Sequence, residues 1–168
     1  ERANIYKWQV AQLFRFLPPT EAVARSVSVF WGGVTLLTVF WSAWVLTKRR
    51  EIALVATFLA ALSVSEIVFD RRLRMYAMFA PVYLALATTL FLCLEQTVST
   101  RWRLFRKFWE RTGIHVGYAL LSGILLVIGL SIHQLTATIV FSLAAYLLWA
   151  GMTRYRETGN FRNRYFSL

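Results

Sequence analysis

The chain contains five apolar runs that are long enough to form membrane-crossing helices, and these runs limit its possible folds more than any other feature. Crossing a hydrocarbon core of about 30 Å takes roughly 20 mostly apolar residues. The runs lack the period-two alternation that is typical of outer-membrane barrel strands. Because a backbone inside lipid must satisfy its own hydrogen bonds, each run is predicted to be an α-helix. The predicted spans cover residues 27–47, 52–69, 75–94, 114–132 and 135–152.

The composition favours a membrane protein over a soluble domain. Of the 168 residues, 58% are hydrophobic and 16% are charged, and the mean hydropathy is +0.52. Soluble domains are typically about 45–50% apolar and about 25% charged. Because a chain this short buries only about 70% of its surface, a soluble fold would leave much apolar area in water. The same composition excludes a disordered chain.

Short polar connections separate several of the predicted helices, at residues 48–51, 70–74 and 131–134. Short connections make consecutive helices antiparallel neighbours. The predicted fold is therefore an all-α, polytopic transmembrane bundle with up-and-down topology. Its organisation is an amphipathic amino-terminal segment, a five-helix transmembrane domain, and a basic and aromatic tail, over residues 1–19, 20–152 and 153–168.

Basic residues greatly exceed acidic ones. Nineteen Lys and Arg oppose eight Asp and Glu, which gives a formal net charge of +11. Because the cations lie between apolar runs, they favour anionic phospholipid as a partner over nucleic acid. If all five spans cross the membrane, residues 48–50, the third connection and the tail lie on one side of it and carry twelve Lys and Arg. The other side carries seven. The positive-inside rule then predicts that the first side faces the cytoplasm of a bacterium or the matrix of an organelle, across its inner membrane.

Two helices separated by a break are predicted near the amino terminus. Residues 4–17 are weakly amphipathic, and Pro18 and Pro19 end any helix there because proline has no backbone N–H to donate. Thr20 is a favourable N-cap for the next helix. One continuous helix is therefore predicted from about Thr20 through Thr47, with its first polar turns outside the bilayer.

Residues 101–111, in the third connection, form an amphipathic pattern. At about 100° per residue, their aromatic and basic side chains separate onto opposite faces of a helix. Such a helix lies in the membrane interface or docks on a partner protein. The candidate residues for binding lipid and partners are Trp102, Arg103, Phe105, Arg106, Lys107 and Trp109, together with Arg154 and Arg156 of the tail.

Glu66 is the candidate intramembrane polar site. A carboxylate inside a span is energetically costly, and a proton or cation path would need such a group. Glu66 nevertheless lies close to the arginines of residues 70–74, so an interfacial ion pair is the preferred interpretation. Glu95, which closes the third predicted span, is expected to pair with Arg101 or Arg103 in the same way.

The spacing of titratable residues does not favour catalysis, a metal site or another cofactor. Glu66 and Glu95 are predicted at opposite membrane faces, where they cannot act as a paired general acid and base. His115 and His133 flank the fourth span, about 27 Å apart at 1.5 Å per residue, which is too far to share a metal ion or a haem. Cys93 is the sole cysteine, so no internal disulfide can form.

The sequence therefore favours a structural role over an enzymatic one. The expected function is that of an accessory subunit in a larger membrane complex, with an energy-converting complex as one setting. Other membrane subunits and anionic phospholipids are the expected partners. A small transporter or ion-conducting protein with Glu66 in its path is the alternative, and a membrane-embedded lipid-modifying enzyme is the third hypothesis. A polar cluster around Glu95 and His115 would favour the enzyme.

Overall fold

The computed structural model describes residues 4–63, 76–95 and 115–158, and every regular element within these ranges is helical. The all-α class is thereby confirmed for the described part of the chain. The helices are α1 Asn4–Leu13, α2 Glu21–Thr47, α3 Arg50–Ala61, α4 Tyr76–Glu95, α5 Val116–Ile132 and α6 Thr138–Thr158, with a short 3-10 helix at Gln134–Ala137.

Two of the described helices, α2 and α4, are long and apolar enough to cross a membrane. α5 and the apolar part of α6, with the 3-10 turn before it, are shorter apolar helices. α3 has 12 residues, which is about 18 Å at 1.5 Å per residue and less than a full hydrocarbon core. The finer prediction of a five-span bundle therefore stays a prediction.

α3 ends earlier than the predicted second span. The backbone N–H of Leu62 donates to Phe58 O at 3.1 Å, and that of Ser63 donates to Ala60 O at 3.1 Å, so the last turn tightens and closes. Serine favours such ends because its hydroxyl competes for backbone hydrogen bonds. Residues 64–69, the remainder of the predicted span, lie outside the described ranges.

α2 begins where the sequence predicts. Thr20 has an extended backbone, and its side-chain oxygen accepts a hydrogen bond from the backbone N–H of Val23 at 3.3 Å. Glu21 occupies the first turn, where a negative charge is favourable near the positive end of the helix dipole. Arg25 forms an exposed ion pair with Glu21 one turn later. α1 ends at Leu13, earlier than the predicted boundary near residue 17.

A tight turn at residues 48–49 joins α2 to α3. Lys48 has φ 58° and ψ 16°, a left-handed conformation, and its N–H donates to Trp44 O at 2.8 Å. The Thr47 hydroxyl accepts a hydrogen bond from the N–H of Arg49 at 3.3 Å. The Arg50 guanidinium carbon lies 5.7 Å from the centroid of the Trp44 ring, which is within cation–π range.

The chain divides into two compact units, and each is described by itself. Unit 1 contains the described residues within Glu1–Leu86 and Leu125–Gln134. Unit 2 contains those within Ala87–Ile124 and Leu135–Leu168. The core of unit 1 is formed by Met78, Val82 and Ile132, and Ile5, Trp31, Phe79, Leu125 and Ile128 pack against it.

Candidate functional site

α2 has its small polar side chains inside and many of its large apolar ones outside. Ser28, Thr35 and Ser42 are at most 8% exposed, and their spacing of seven residues places them on one face. By contrast, the large apolar side chains of Val29, Phe30 and Leu37 are 67%, 64% and 71% exposed. Small residues permit close helix packing, and apolar side chains facing outward are favourable in lipid rather than in water.

Large apolar side chains are also exposed on α3, α5 and α6. Soluble monomers rarely present contiguous apolar patches of more than a few hundred Å². α2 contributes to this exposed apolar surface as well. Only 17% of its most apolar stretch is buried, whereas 56% of the corresponding stretch of α4 is buried. The more than half-exposed residues on the other three helices include Leu54, Phe58, Leu120, Val127, Phe141 and Trp149.

Unit 1 contains an apolar cleft of about 540 Å³. This volume lies within the range of about 300–1,000 Å³ that is usual for small-molecule sites. α2, α4, α5 and α1 all contribute to its walls. The lining includes Ile5, Trp31, Val34, Met78, Val82 and Leu125.

One polar pair lines this otherwise largely apolar cleft. The indole Nε1–H of Trp31 donates to Oε1 of Gln9 at 2.9 Å. Because an indole N–H can only donate, this contact fixes which end of the amide faces Trp31 and leaves the Gln9 NH₂ group as a source of two donors. Thr38, also on the lining, donates its hydroxyl to Val34 O at 2.8 Å within its own helix.

A buried contact between α1 and α2 positions this polar pair. The hydroxyls of Tyr6 and Ser28 lie 2.8 Å apart, and both residues are buried. Gln9 follows Tyr6 by three residues, and Trp31 follows Ser28 by three, so each lies on the same helical face as its neighbour. The two cross-helix contacts therefore support each other, and α1 is held against α2 along one turn.

Unit 2 brings together polar residues from α4, α6 and the start of α5. The Tyr146 hydroxyl donates to Oε1 of Glu95 at 2.6 Å. The His115 N–H donates to Cys93 O at 2.9 Å, and the Cys93 thiol lies 3.8 Å from His115 O. The His115 ring packs against Tyr118 with centroids 4.7 Å apart. The Glu95 bond joins α6 to the end of α4, and the backbone bond of His115 joins the start of α5 to α4 at Cys93.

Sequence reasoning missed the three side-chain hydrogen bonds between helices described above. Tyr146 is 51 positions from Glu95. The Gln9–Trp31 and Tyr6–Ser28 pairs are each separated by 22 positions, so no local pattern marks any of the three. The arginines expected to pair with Glu95 lie outside the described residues. His115 and His133 flank α5, as predicted.

The predicted site residues fall mostly outside the described part of the chain. Those outside it are Glu66, Trp102, Arg103, Phe105, Arg106, Lys107 and Trp109. Arg154 and Arg156 belong to α6, which continues to Thr158. Within the described ranges, no group of three or more His, Cys, Asp or Glu side chains is placed to hold a metal ion.

Comparison of the chain with known protein families, curated proteins and solved structures found no match.

Proposed function

We propose that this chain is an integral membrane protein that serves as an accessory subunit of a larger membrane complex. The observation that carries the proposal is the arrangement of α2, which buries Ser28, Thr35 and Ser42 while exposing Phe30 and Leu37. A soluble protein would be expected to have the opposite arrangement.

The energetic scale supports a non-aqueous environment for these faces. Withdrawing one large apolar side chain fully from water is worth about 1.5–3 kcal/mol. The net stability of a folded domain is only about 5–15 kcal/mol. Many such side chains are more than half exposed on four described helices, so covering them with lipid or partner helices would gain more free energy than the net stability of a domain. Lipid or the helices of other subunits must cover them.

The subunit role extends this argument to partners. The amphipathic segment at 101–111 and the basic tail place Arg, Trp and Phe beside the predicted spans. Such segments bind anionic headgroups or dock on neighbouring subunits. The inner membrane of a bacterium or an organelle is the proposed location, and an energy-converting complex is one setting in which small helical subunits of this kind would serve.

The test is extraction and sizing from the native membrane. The protein should remain in the membrane pellet after an alkaline carbonate wash, because its helices are held by apolar contact. After solubilisation in a mild detergent, it should migrate in a stoichiometric assembly well above the mass of its 19.4 kDa chain in a micelle. Release by carbonate would contradict membrane integration, and migration as a single chain would contradict the subunit role.

A flux measurement separates this proposal from the transporter hypothesis. The purified protein is reconstituted in vesicles, and proton and cation flux are compared with those of the Glu66→Gln variant. If Glu66 only forms an interfacial ion pair, the substitution should leave assembly intact and cost about 0–1 kcal/mol. A flux that disappears in Glu66→Gln, with assembly unchanged, would support transport instead.

A further inference from the structure

The lining of the cleft in unit 1 follows two helices for about two turns each. On α2 the lining runs from Trp31 to Thr38, and on α4 from Met78 to Ala85. Each stretch covers seven residues, or about 10 Å along its helix. The walls are almost entirely apolar, and the Thr38 hydroxyl is already satisfied by Val34 O. A long apolar chain therefore fits this lining better than a compact polar molecule.

The polar pair lies at the Trp31 end of the cleft. There the Gln9 amide is held by its contact with the indole, and its NH₂ group can donate to an acceptor on a ligand. A ligand that matches both features carries an oxygen acceptor at one end and a hydrocarbon chain behind it. An acyl ester has this structure.

The depth of Trp31 favours a phospholipid ester. α2 has 27 residues and is about 40 Å long, which exceeds a hydrocarbon core of about 30 Å by roughly 10 Å. Lys48 and Arg49 follow α2 directly and mark one membrane boundary, so the core extends back along α2 to about Val27. Trp31 then lies about one turn inside the opposite boundary, close to the layer where lipid esters and interfacial tryptophans are found.

We infer that the cleft of unit 1 binds one acyl chain of a membrane phospholipid, whose ester carbonyl accepts a hydrogen bond from the Gln9 amide. This inference rests on the proposed membrane location and adds a specific lipid site to it. Gln9 and Trp31 recognise the ester, and α2, α4 and α5 provide apolar walls along which the chain lies.

Photo-crosslinking of the wild-type protein tests the site directly. The protein is reconstituted in phosphatidylcholine vesicles that contain a minor fraction of phosphatidylglycerol with a diazirine on one acyl chain. Labelling should concentrate on the cleft residues of α2 and α4, around Val34 and Ala85. Equal labelling of outward residues such as Phe141 and Leu148 would show only general lipid contact and would overturn the inference. Displacement of the label by excess oleate would also overturn it, because the site would then take a free fatty acid.

Variants test the same site by lipid retention, measured by native mass spectrometry after detergent purification. The wild type should retain one phospholipid per chain. Ala85→Trp should reduce retention at least about tenfold because the indole fills the cleft, and Leu46→Trp, on an exposed position of α2, should leave it unchanged. Gln9→Leu should weaken retention at least about threefold, because it removes both the donor to the ester and the acceptor that holds the Trp31 indole. Equal retention in the wild type and Ala85→Trp would contradict the inference.

The outcomes are separable from those of the proposed function. A protein that retains the lipid but migrates as a single chain contradicts only the subunit role. A protein that assembles with partners but shows no localised labelling contradicts only the lipid site. Because crosslinking uses the wild type, the result stands even if Ala85→Trp fails to fold.

Discussion

The hydroxyl of Tyr6 on α1 and the hydroxyl of Ser28 on α2 form a hydrogen bond of 2.8 Å, and neither residue is more than 6% exposed. Either oxygen can be the donor. The bond joins a short amino-terminal helix to the first long apolar helix, at the position from which Gln9 and Trp31 reach each other. The integrity of the cleft in unit 1 therefore depends on this contact.

A double-mutant cycle measures the contribution of that bond. Tyr6→Phe keeps the ring and removes the hydroxyl, and Ser28→Ala removes the other. Each single change should lower the free energy of unfolding by about 0.5–1.5 kcal/mol, the usual net value of a hydrogen bond. The double variant should be less destabilised than the sum of the two, and thermal unfolding in one detergent provides the comparison. Strict additivity would mean that the two hydroxyls act independently.

The contact between Tyr146 and Glu95 should stabilise unit 2. Tyr146→Phe keeps the aromatic contacts with Phe91 and Trp149 but removes the donor to the carboxylate. Hydrogen bonds to charged groups contribute about 1.5–3 kcal/mol, so resistance to proteolysis and to heat should fall measurably. The matched control is Tyr118→Phe, at a residue whose ring packs on His115 instead. Equal effects of the two substitutions would contradict a specific role for the Glu95 bond.

The turn between α2 and α3 should tolerate glycine better than lysine. Lys48 holds a left-handed conformation at φ 58°, which costs an ordinary L-residue about 1–2 kcal/mol. Lys48→Gly should therefore raise stability by about 0.5–1 kcal/mol, and Lys48→Val should lower it by about 1 kcal/mol. Lys48→Gln removes the same charge without favouring this conformation, so it separates the backbone effect from electrostatics. If glycine and valine shift the unfolding temperature equally, backbone strain is not the cause.

The predicted topology can be tested by labelling single cysteines from each side of the membrane. In a Cys93→Ala background, Arg49→Cys and Arg106→Cys should react with a membrane-impermeant maleimide from the same side. Arg72→Cys should react from the other side, since it follows the second predicted span. Opposite labelling at positions 49 and 106 would eliminate the five-span arrangement.

A peptide of residues 101–111 should bind anionic vesicles better than neutral ones and become helical as it binds. Burying each aromatic ring is worth about 1.5–3 kcal/mol, and each cation near anionic headgroups adds about 1 kcal/mol. High salt should weaken binding without abolishing it, because only the charge contribution is screened. Replacing Trp102 and Trp109 by serine should remove most binding at any salt concentration. A peptide that ignores all vesicles would favour docking on a protein partner.

Local signals in the sequence were sufficient to locate several helix boundaries. Thr20 after Pro18 and Pro19 predicted the start of α2, and its side chain does accept the capping hydrogen bond. The basic residues after Thr47 predicted the end of the same helix. The end of α3 was not predicted. An apolar run shows where a helix can form, but here the helix closes at Leu62 and Ser63, inside the run.

The sequence alone determined the all-helical class and the strongly apolar character of the chain, since both follow from composition and from periodicity over neighbouring residues. Only the tertiary structure decided that Ser28 meets Tyr6, that Gln9 meets Trp31 and that Tyr146 meets Glu95. It also decided which face of α2 is buried. These pairings join residues far apart in the chain. Because the helices are apolar on nearly every side, their sequences give little indication of which face of each helix packs inward. Packing of small residues and a few buried hydrogen bonds therefore determine which helix faces meet, and sequence periodicity does not.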